Sequence, residues 1–289
     1  MIKNVKFFLN FFGSVIFWPL KYLVPKKDII LMRCCEPDVY CDNTRFLFEY
    51  LSENTKYQVY WLTISQRVKD YLDNKCLRYL DPRKRIYILW MTLRTKIIIE
   101  SGDCYFNPFK LSDNHITVKI STMHGSGLKT AHMRTDNLSR NILPITRLNR
   151  FDYCNFTSKY TCTWVAKRLY LLPTKKILKI GYPRCDFFFD IEFVNERYKK
   201  KEFSREMATN FDLKSSKVIL YTPTWRPYEY TLPLLGMTDF EINKFNSWLK
   251  SKNYFFFYTI HTGNAPCSKQ ISLSNIIFID HPKYPIFDI

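Results

Sequence analysis

The sequence predicts an α/β fold with two domains that face each other across a cleft. Short apolar strands alternate with helical segments along most of the chain, which is typical of parallel sheets that are buried on both faces. A second strand–helix series begins near Lys217. Four polar motifs each follow a predicted strand, where open α/β sheets place the groups that contact ligands.

The first domain, predicted over residues 28–182, has the longer strand–helix series. Its strands are apolar or β-branched runs such as DIILMRCC and YQVYWLTI. Its first helix repeats apolar residues at helical spacing, and Pro173 ends its last helix. The predicted strands are 28–35, 57–64, 76–80, 96–100, 116–122, 151–157 and 176–182. The predicted helices are 42–52, 66–73, 83–94 and 160–172.

The second domain is predicted over residues 183–289 and has fewer strands. It begins with a long charged helix and continues with the strand KVILYT, a helix and the aromatic strand YFFFYTI. Only about three strands follow Lys217, whereas a sheet averages roughly five to six. We therefore expect the C-terminal domain to be truncated relative to its complete form. The predicted helices are 192–210 and 240–250, and the predicted strands are 217–222, 254–260 and 275–279.

The first 27 residues are predicted to form a membrane-interfacial anchor. The apolar core runs only from Phe7 to Trp18, which is short of the roughly 20 residues that a spanning helix needs. Lysines at positions 3, 6, 21, 26 and 27 flank it. We expect the aromatic side chains to enter the headgroup region and the lysines to contact anionic lipid. A single signal-anchor helix is the alternative.

The composition indicates a folded, strongly basic protein. Of 289 residues, 46% are apolar and 17% aromatic, which argues against disorder. Lys and Arg number 44 against 26 acidic residues, and the net charge of +18 attracts polyanions unless it is only a solvated basic surface. The nine cysteines include no Cys-x-x-Cys pair, so we expect reduced thiols, no bound metal and no cofactor.

The first polar motif, MHGSGLK, places His124 directly after a predicted strand. An imidazole near its ordinary pKa can accept a proton from an attacking hydroxyl at neutral pH. The glycines let backbone N–H groups approach an anion, and Lys129 can neutralise a phosphoryl oxygen. A turn with a solvated histidine is the alternative.

Three further motifs supply cations and hydroxyls. In YTPTWR, Arg226 offers a planar fork for a diphosphate and Thr224 can donate to the same oxygens. His261 ends a later strand and could hydrogen-bond a leaving diphosphate. In GYPRCD, Arg184 and Asp186 could form an interdomain salt bridge and nothing more.

In this order, MHGSGLK, GYPRCD, YTPTWR and His261 resemble the CDP-glycerol glycerophosphotransferase family, which includes teichoic acid primases and polymerases. The resemblance runs from about Asp28 to the C-terminus. It implies two Rossmann-like domains in a GT-B-like arrangement and peripheral attachment to the cytoplasmic face of the cell membrane. The implied reaction moves glycerol phosphate or ribitol phosphate from CDP-glycerol or a related CDP-alditol to an anionic polymer, such as teichoic acid or capsule, or to a lipid-linked acceptor.

The resemblance also implies roles for individual residues. His124 matches the proposed base, and His261 would assist the leaving cytidylate. The chain departs from the family where Met123 replaces Trp and where the Asp-Tyr-Ser-Ser segment expected soon after YPIFDI is absent from the sequence. The implied donor-binding residues are Gly125, Ser126, Gly127, Lys129, Arg184, Asp186, Pro223, Thr224 and Arg226.

Three alternatives differ in function. A nucleotide-sugar glycosyltransferase of GT-B type would use the same cleft, and an inactive truncated relative would keep the fold without the reaction. A basic nucleic-acid-binding or membrane-binding protein would need clustered cations or a known module. Because the cations are scattered, we expect a membrane surface but no nucleic acid among the partners.

Overall fold

A computed structural model describes residues 13–35, 39–102, 106–125, 145–186, 215–222, 237–259 and 271–279. Its contacts divide the chain into two compact units, Met1–Ile191 and Glu192–Ile289. Both units combine helices with parallel strands, so the predicted α/β class is confirmed. The cleft between two domains and their sequence-based bounds stay predictions.

The first unit contains a seven-stranded sheet. Apolar, β-branched and aromatic residues form its strands, as the pattern of the sequence predicts. Its strands are β1 (Lys27–Arg33), β2 (Gln58–Leu62), β3 (Tyr79–Leu80), β4 (Thr95–Glu100), β5 (Val118–Ser121), β6 (Tyr153–Phe156) and β7 (Ile177–Lys179). Its α-helices are α1 (Leu20–Leu23), α2 (Asp42–Asn54), α3 (Gln66–Asn74), α4 (Arg85–Arg94) and α5 (Pro183–Asp186).

The strand order is β3-β2-β1-β4-β5-β6-β7, and every neighbouring pair is parallel. In the centre, Met32 of β1 is in register with Ile99 of β4, and Ile99 is in register with Ile120 of β5. The carboxyl ends of these three strands therefore meet at one edge. Residues that follow them in the sequence are gathered at that edge.

Both faces of this sheet are covered by helices. On β1, Ile30 and Met32 pack with Phe48 of α2, whereas Ile29 and Leu31 belong to a second core cluster. That second cluster includes residues of α4, namely Ile88 and Met91. Successive strand residues point to opposite faces, so the continuous apolar run of β1 fills both cores.

The last part of the unit differs from the sequence-based expectation. The helix predicted over 160–172 is a π-helix, Thr161–Leu169, and its buried Ala166 packs with Phe151 and Phe156. The strand predicted over 176–182 ends at Lys179. Gly181 has a φ of 83°, a left-handed conformation that turns the chain before α5.

The second unit contains α6 (Asp239–Ser251) and the strands β8 (Lys217–Tyr221), β9 (Tyr254–Tyr258) and β10 (Ile276–Phe278). The strands form a smaller parallel sheet of order β10-β9-β8. Helix α6 begins with a capping box, in which Thr238 and Glu241 bond each other's backbone N–H groups. Its Ile242 and Leu249 pack against Phe256 of the central strand.

The described part of the N-terminal segment belongs to the first unit and contacts its later residues. Trp18 is 57% exposed and Leu23 is 73% exposed, so these two side chains face outwards. Two of the lysines expected to contact lipid are engaged elsewhere. Lys21 is buried and donates to the Asp113 carbonyl, and Lys26 donates to the Leu93 carbonyl. Among the residues described, none of the helices has both the length and the apolar character needed to cross a membrane.

A buried ion pair joins the carboxyl ends of β1 and β4. Arg33 Nε lies 2.9 Å from Glu100 Oε2, and the Phe106 N–H donates to the other carboxylate oxygen. Glu100 is fully buried. Burial raises the pKa of Glu100 to about 7, although Arg33 and the Phe106 N–H act to lower it.

The Glu100 carboxyl makes the stability of the first unit depend on pH. Because its pKa in the folded state is above its ordinary value of 4.5, the folded state binds more protons between that value and about 7. We expect the free energy of unfolding to fall as the pH rises through this window. Urea unfolding, followed by circular dichroism across the same window, measures this slope.

Substitution of Glu100 separates its contribution to this pH dependence from the contributions of other titrating groups. Glu100→Gln should flatten the slope because an amide does not ionise. Glu53→Gln changes an exposed residue of α2 and should leave the slope as it is. An unchanged slope in Glu100→Gln would show that Glu100 is not its source.

Candidate active site at the carboxyl edge of the sheet

The candidate site lies where β1, β4 and β5 end and where α2 and α5 begin. His124 follows β5, and Arg184 lies in α5. The two residues are 60 positions apart in the sequence. The fold brings them together through the first turn of α2, which contacts both segments.

The turn that carries His124 is held by hydrogen bonds from two directions. Met123 has a φ of 54°, which is uncommon for a residue with a side chain. Its N–H donates to Ser121 Oγ (3.2 Å), and its carbonyl accepts from Asn43 Nδ2 (2.6 Å). Met123 itself is buried, while the His124 that follows is exposed. The turn therefore presents the imidazole at the surface on a fixed backbone.

Arg184 is held by the first residue of α2. Its Nη1 donates to Asp42 Oδ1 at 2.7 Å, and its backbone N–H donates to Asn43 Oδ1 at 3.4 Å. The Asp42 side chain is 7% exposed and that of Arg184 is 21% exposed. Both residues lie within the unit Met1–Ile191, so this ion pair joins parts of one unit.

The other side of the guanidinium faces the His124 loop. A Cβ atom placed on Gly125 would lie 3.7 Å from Arg184 Nη2, so the loop backbone passes close to the cation. The Arg184 guanidinium also lies 5.3 Å from the centre of the Tyr182 ring. Two of the sequence motifs, MHGSGLK and GYPRCD, therefore meet at His124, Gly125 and Arg184.

Burial and the neighbouring positive charge have opposite effects on the pKa of the Asp42 carboxyl. Burial raises the pKa of the Asp42 carboxyl above its ordinary value, although the Arg184 guanidinium and the Asn43 N–H act to lower it. The pair thus sets a cation, oriented by a buried acidic side chain, beside the loop that carries the exposed His124. Such an arrangement can bind an anion next to a proton acceptor.

Three thiols lie at the same edge of the sheet. Cys34 and Cys35 follow β1, and Cys41 precedes α2. Cys34 Sγ lies 3.8 Å from Cys35 Sγ and 3.5 Å from Cys41 Sγ. Contact with Cys34 and burial raise the pKa values of the Cys35 and Cys41 thiols. In the structure they are therefore neutral thiols rather than activated nucleophiles.

The remaining site residues predicted from the sequence are placed only in part. Asp186 lies in α5 and is exposed, two positions after Arg184. The others fall outside the described residues, and their roles stay predictions. These are Ser126, Gly127, Lys129, Pro223, Thr224, Arg226 and His261.

The sequence analysis missed Asp42 and Asn43. Both stand at the start of the helix after the first strand, a position that faces the ligand edge in α/β sheets. That position was the signal that could have found them. The φ of 68° at Asp42, which sets the direction of its side chain, is a property of the folded loop.

Comparison of the sequence with curated proteins finds similar teichoic acid polymerases and transferases. The chain is 29% identical over 226 residues to a teichoic acid poly(glycerol phosphate) polymerase of Bacillus spizizenii, covering 74% of this chain and 54% of that protein. It is 24% identical over 217 residues to a teichoic acid glycerol-phosphate transferase of Staphylococcus aureus, covering 71% and 52%. The chain therefore spans about half the length of these curated relatives.

Solved structures share the fold. The wall teichoic acid polymerase TagF matches with a TM-score of 0.69 and 18% identity, over 99% of this chain and 69% of that one. A UDP-GlcNAc 2-epimerase from Neisseria meningitidis matches with a TM-score of 0.53 and 12% identity, over 87% and 72%. At these identities the likeness concerns the fold alone.

A sequence profile gives the family directly. The profile described as CDP-glycerol:poly(glycerophosphate) glycerophosphotransferase matches residues 16–280, which is most of the chain and includes the whole described site. The family inferred from the four motifs is thereby confirmed. The chain belongs to the CDP-glycerol:poly(glycerophosphate) glycerophosphotransferase family.

Proposed function

We propose that this chain transfers glycerol phosphate, or ribitol phosphate, from a CDP-alditol to an anionic cell-surface polymer such as teichoic acid. Membership of the family supports the reaction class. One structure of the TagF polymerase was obtained after a soak with CDPG, which supports a CDP-alditol as the donor for a chain of this fold.

The observation that carries the proposal is the close approach of Gly125, which follows His124 in the chain, to the Arg184 guanidinium. Transfer of this kind needs a proton acceptor for the attacking hydroxyl and a cation for the phosphate oxygens. Both groups lie at the carboxyl edge of a parallel sheet, and Asp42 orients the cation at 2.7 Å. A diphosphate held by Arg184 would lie beside the imidazole.

The reaction then proceeds as an in-line displacement at phosphorus. The acceptor hydroxyl attacks the phosphorus that carries the alditol, and His124 takes its proton. The bond to the bridging oxygen breaks, and cytidine monophosphate leaves with the electron pair. Arg184 neutralises charge on the phosphoryl oxygens, which is the largest electrostatic demand of phosphoryl transfer.

The remaining residues of the proposed site are assigned from the similarity of the motifs to those of the glycerophosphotransferase family. His261 would assist the departing cytidylate, and Thr224 and Arg226 would contact the donor. The loop residues that follow Gly125 would border its phosphates. The described geometry supports only the His124 side of this arrangement.

The surface supports the proposed partners. A net charge of +18 favours an anionic polymer and an anionic membrane surface. The exposed Trp18 and Leu23 would add apolar contact with lipid at the cytoplasmic face. In this proposal the protein is peripheral, and its acceptor is a polymer or a lipid-linked chain.

Donor identity is tested by comparing donors in one assay. CDP-glycerol, CDP-ribitol and UDP-sugars are each supplied with a lipid-linked glycerol phosphate acceptor, and release of the nucleotide is measured. Release of cytidine monophosphate with chain extension from a CDP-alditol supports the proposal. Turnover of UDP-sugars alone would favour the glycosyltransferase alternative.

His124→Ala should lower the turnover number by about 10²–10⁴-fold, the usual contribution of a general base. The exposed His115, whose ring centre lies 5.7 Å from that of Tyr22, provides a matched control. His115→Ala should retain activity. Cytidine monophosphate release from CDP-glycerol at saturating donor is the measurement. Turnover of His124→Ala within a few-fold of the unsubstituted protein would remove His124 from the mechanism.

Asp42→Asn should weaken donor binding because the amide cannot hold the Arg184 guanidinium as a carboxylate does. Hydrogen bonds to charged groups contribute about 1.5–3 kcal/mol, so the KM for the donor should rise about 10- to 100-fold. Asp28→Asn removes an exposed ion pair with Lys96 and serves as the control. Steady-state kinetics with varied donor distinguish KM from kcat.

Combination with Arg184→Lys tests whether the two residues act together. If Asp42 works through Arg184, the double variant should lose little more than either single variant. Fully additive losses would contradict this coupling.

A further inference from the structure

We propose that Cys34, Cys35 and Asp42 form a binding site for a thiophilic divalent metal ion such as Zn²⁺. The sequence spacing of the cysteines predicts no such site. In the folded chain, one ligand atom of each of these residues lies within 4.8 Å of the other two. Among the described residues, these three side chains form the group of cysteine and carboxylate ligands that could hold a metal ion.

The sulfur positions suit a tetrahedral metal centre. With metal–sulfur bonds of about 2.3 Å, two thiolates of a tetrahedral site lie about 3.8 Å apart. Cys34 Sγ and Cys35 Sγ are 3.8 Å apart. Cys41 Sγ lies 3.5 Å from Cys34 Sγ, so a third thiol borders the same position. Little movement of the sulfur atoms is needed to bind an ion.

The backbone around the thiols is held by the ends of two strands. The Cys35 N–H donates to Ser101 Oγ at 3.0 Å, and Ser101 Oγ donates to Cys34 Sγ at 3.5 Å. Ser101 follows β4, the neighbour of β1 in the sheet. These contacts fix both cysteines relative to the end of β4. Such support keeps ligands in position before a metal arrives.

The Asp42 carboxylate supplies the third ligand. Among the residues described, both of its hydrogen bonds, from Asn43 and Arg184, go to Oδ1. Oδ2 can therefore serve the metal while Oδ1 keeps its partners. Carboxylates that bind metals are commonly hydrogen-bonded in this way.

The exposure of the ligands and their sulfur chemistry indicate which ion the site would bind. Cys35 is exposed, whereas Cys34 and Asp42 are buried, so an ion can enter from the Cys35 side and be largely enclosed. Thiolates favour Zn²⁺ and Co²⁺ over Mg²⁺ and Ca²⁺, which prefer oxygen. Among the residues described, His124 is a candidate fourth ligand, because a Cβ atom placed on Gly102 would lie 3.1 Å from Cys35 Cβ and 3.6 Å from His124 Nδ1; a water molecule is the alternative.

Cobalt substitution tests the site without any substrate, so the result is independent of the proposed transferase activity. The full chain is reduced with a phosphine rather than a thiol, stripped of metal with a chelator, and titrated with Co²⁺. Bound thiolates give a sulfur-to-cobalt charge-transfer band in the near ultraviolet, and tetrahedral Co²⁺ gives intense visible bands. Competition with Zn²⁺ should abolish both.

Cys34→Ser and Cys35→Ser should each weaken Co²⁺ binding by at least about tenfold and reduce the charge-transfer band. Cys76→Ser is the matched control, because Cys76 is an exposed thiol in the same unit and outside the cluster. Circular dichroism of the metal-free variants checks folding, and exposed Cys35 is the position at which serine is best tolerated.

Three results would overturn the proposal. The first is no thiolate band in the unsubstituted chain. The second is an unchanged band in a folded Cys35→Ser variant. The third is an equal loss of the band in Cys76→Ser.

Discussion

The ion pair between Asp42 and Arg184 joins two segments that are 142 residues apart in the sequence. One segment follows β1 and the other follows β7, the first and last strands of the sheet in chain order. Both side chains are largely buried, so the loss of either partner would leave an uncompensated charge in a poorly solvated place. The position of the cation beside the His124 loop depends on this contact, and so does the geometry of the candidate site.

The parallel sheet explains why so much chemistry lies at one edge. β1, β4 and β5 are neighbours, and their carboxyl ends carry the thiols, the Glu100–Arg33 pair and His124. Helices cover both faces of the sheet with apolar side chains, so polar groups are left to the strand ends. The edge therefore concentrates ionisable groups in a partly dehydrated setting, where their charges interact strongly.

Much of the fold could be predicted from local patterns, because strands and helices of this size have clear apolar periodicity. β1, α2, β4, α6 and β9 all lie close to their predicted bounds. The π-helix Thr161–Leu169 was predicted as an ordinary helix because a short apolar pattern does not reveal whether the backbone bonds span four residues or five. Lys21 was expected at the membrane surface, but its bond to the Asp113 carbonyl depends on a loop that is distant in sequence.

The order of strands, helices and short motifs along the sequence was enough to predict the fold class and the family, and it named His124 and Arg184 as candidate site residues. The folded chain adds that Asp42 holds Arg184, that Asn43 supports the His124 turn, and that three thiols converge. These contacts depend on strand order and on left-handed backbone angles at the start of α2 and before His124. Such features arise from the packing of segments far apart in the chain, and no local pattern of residues records them.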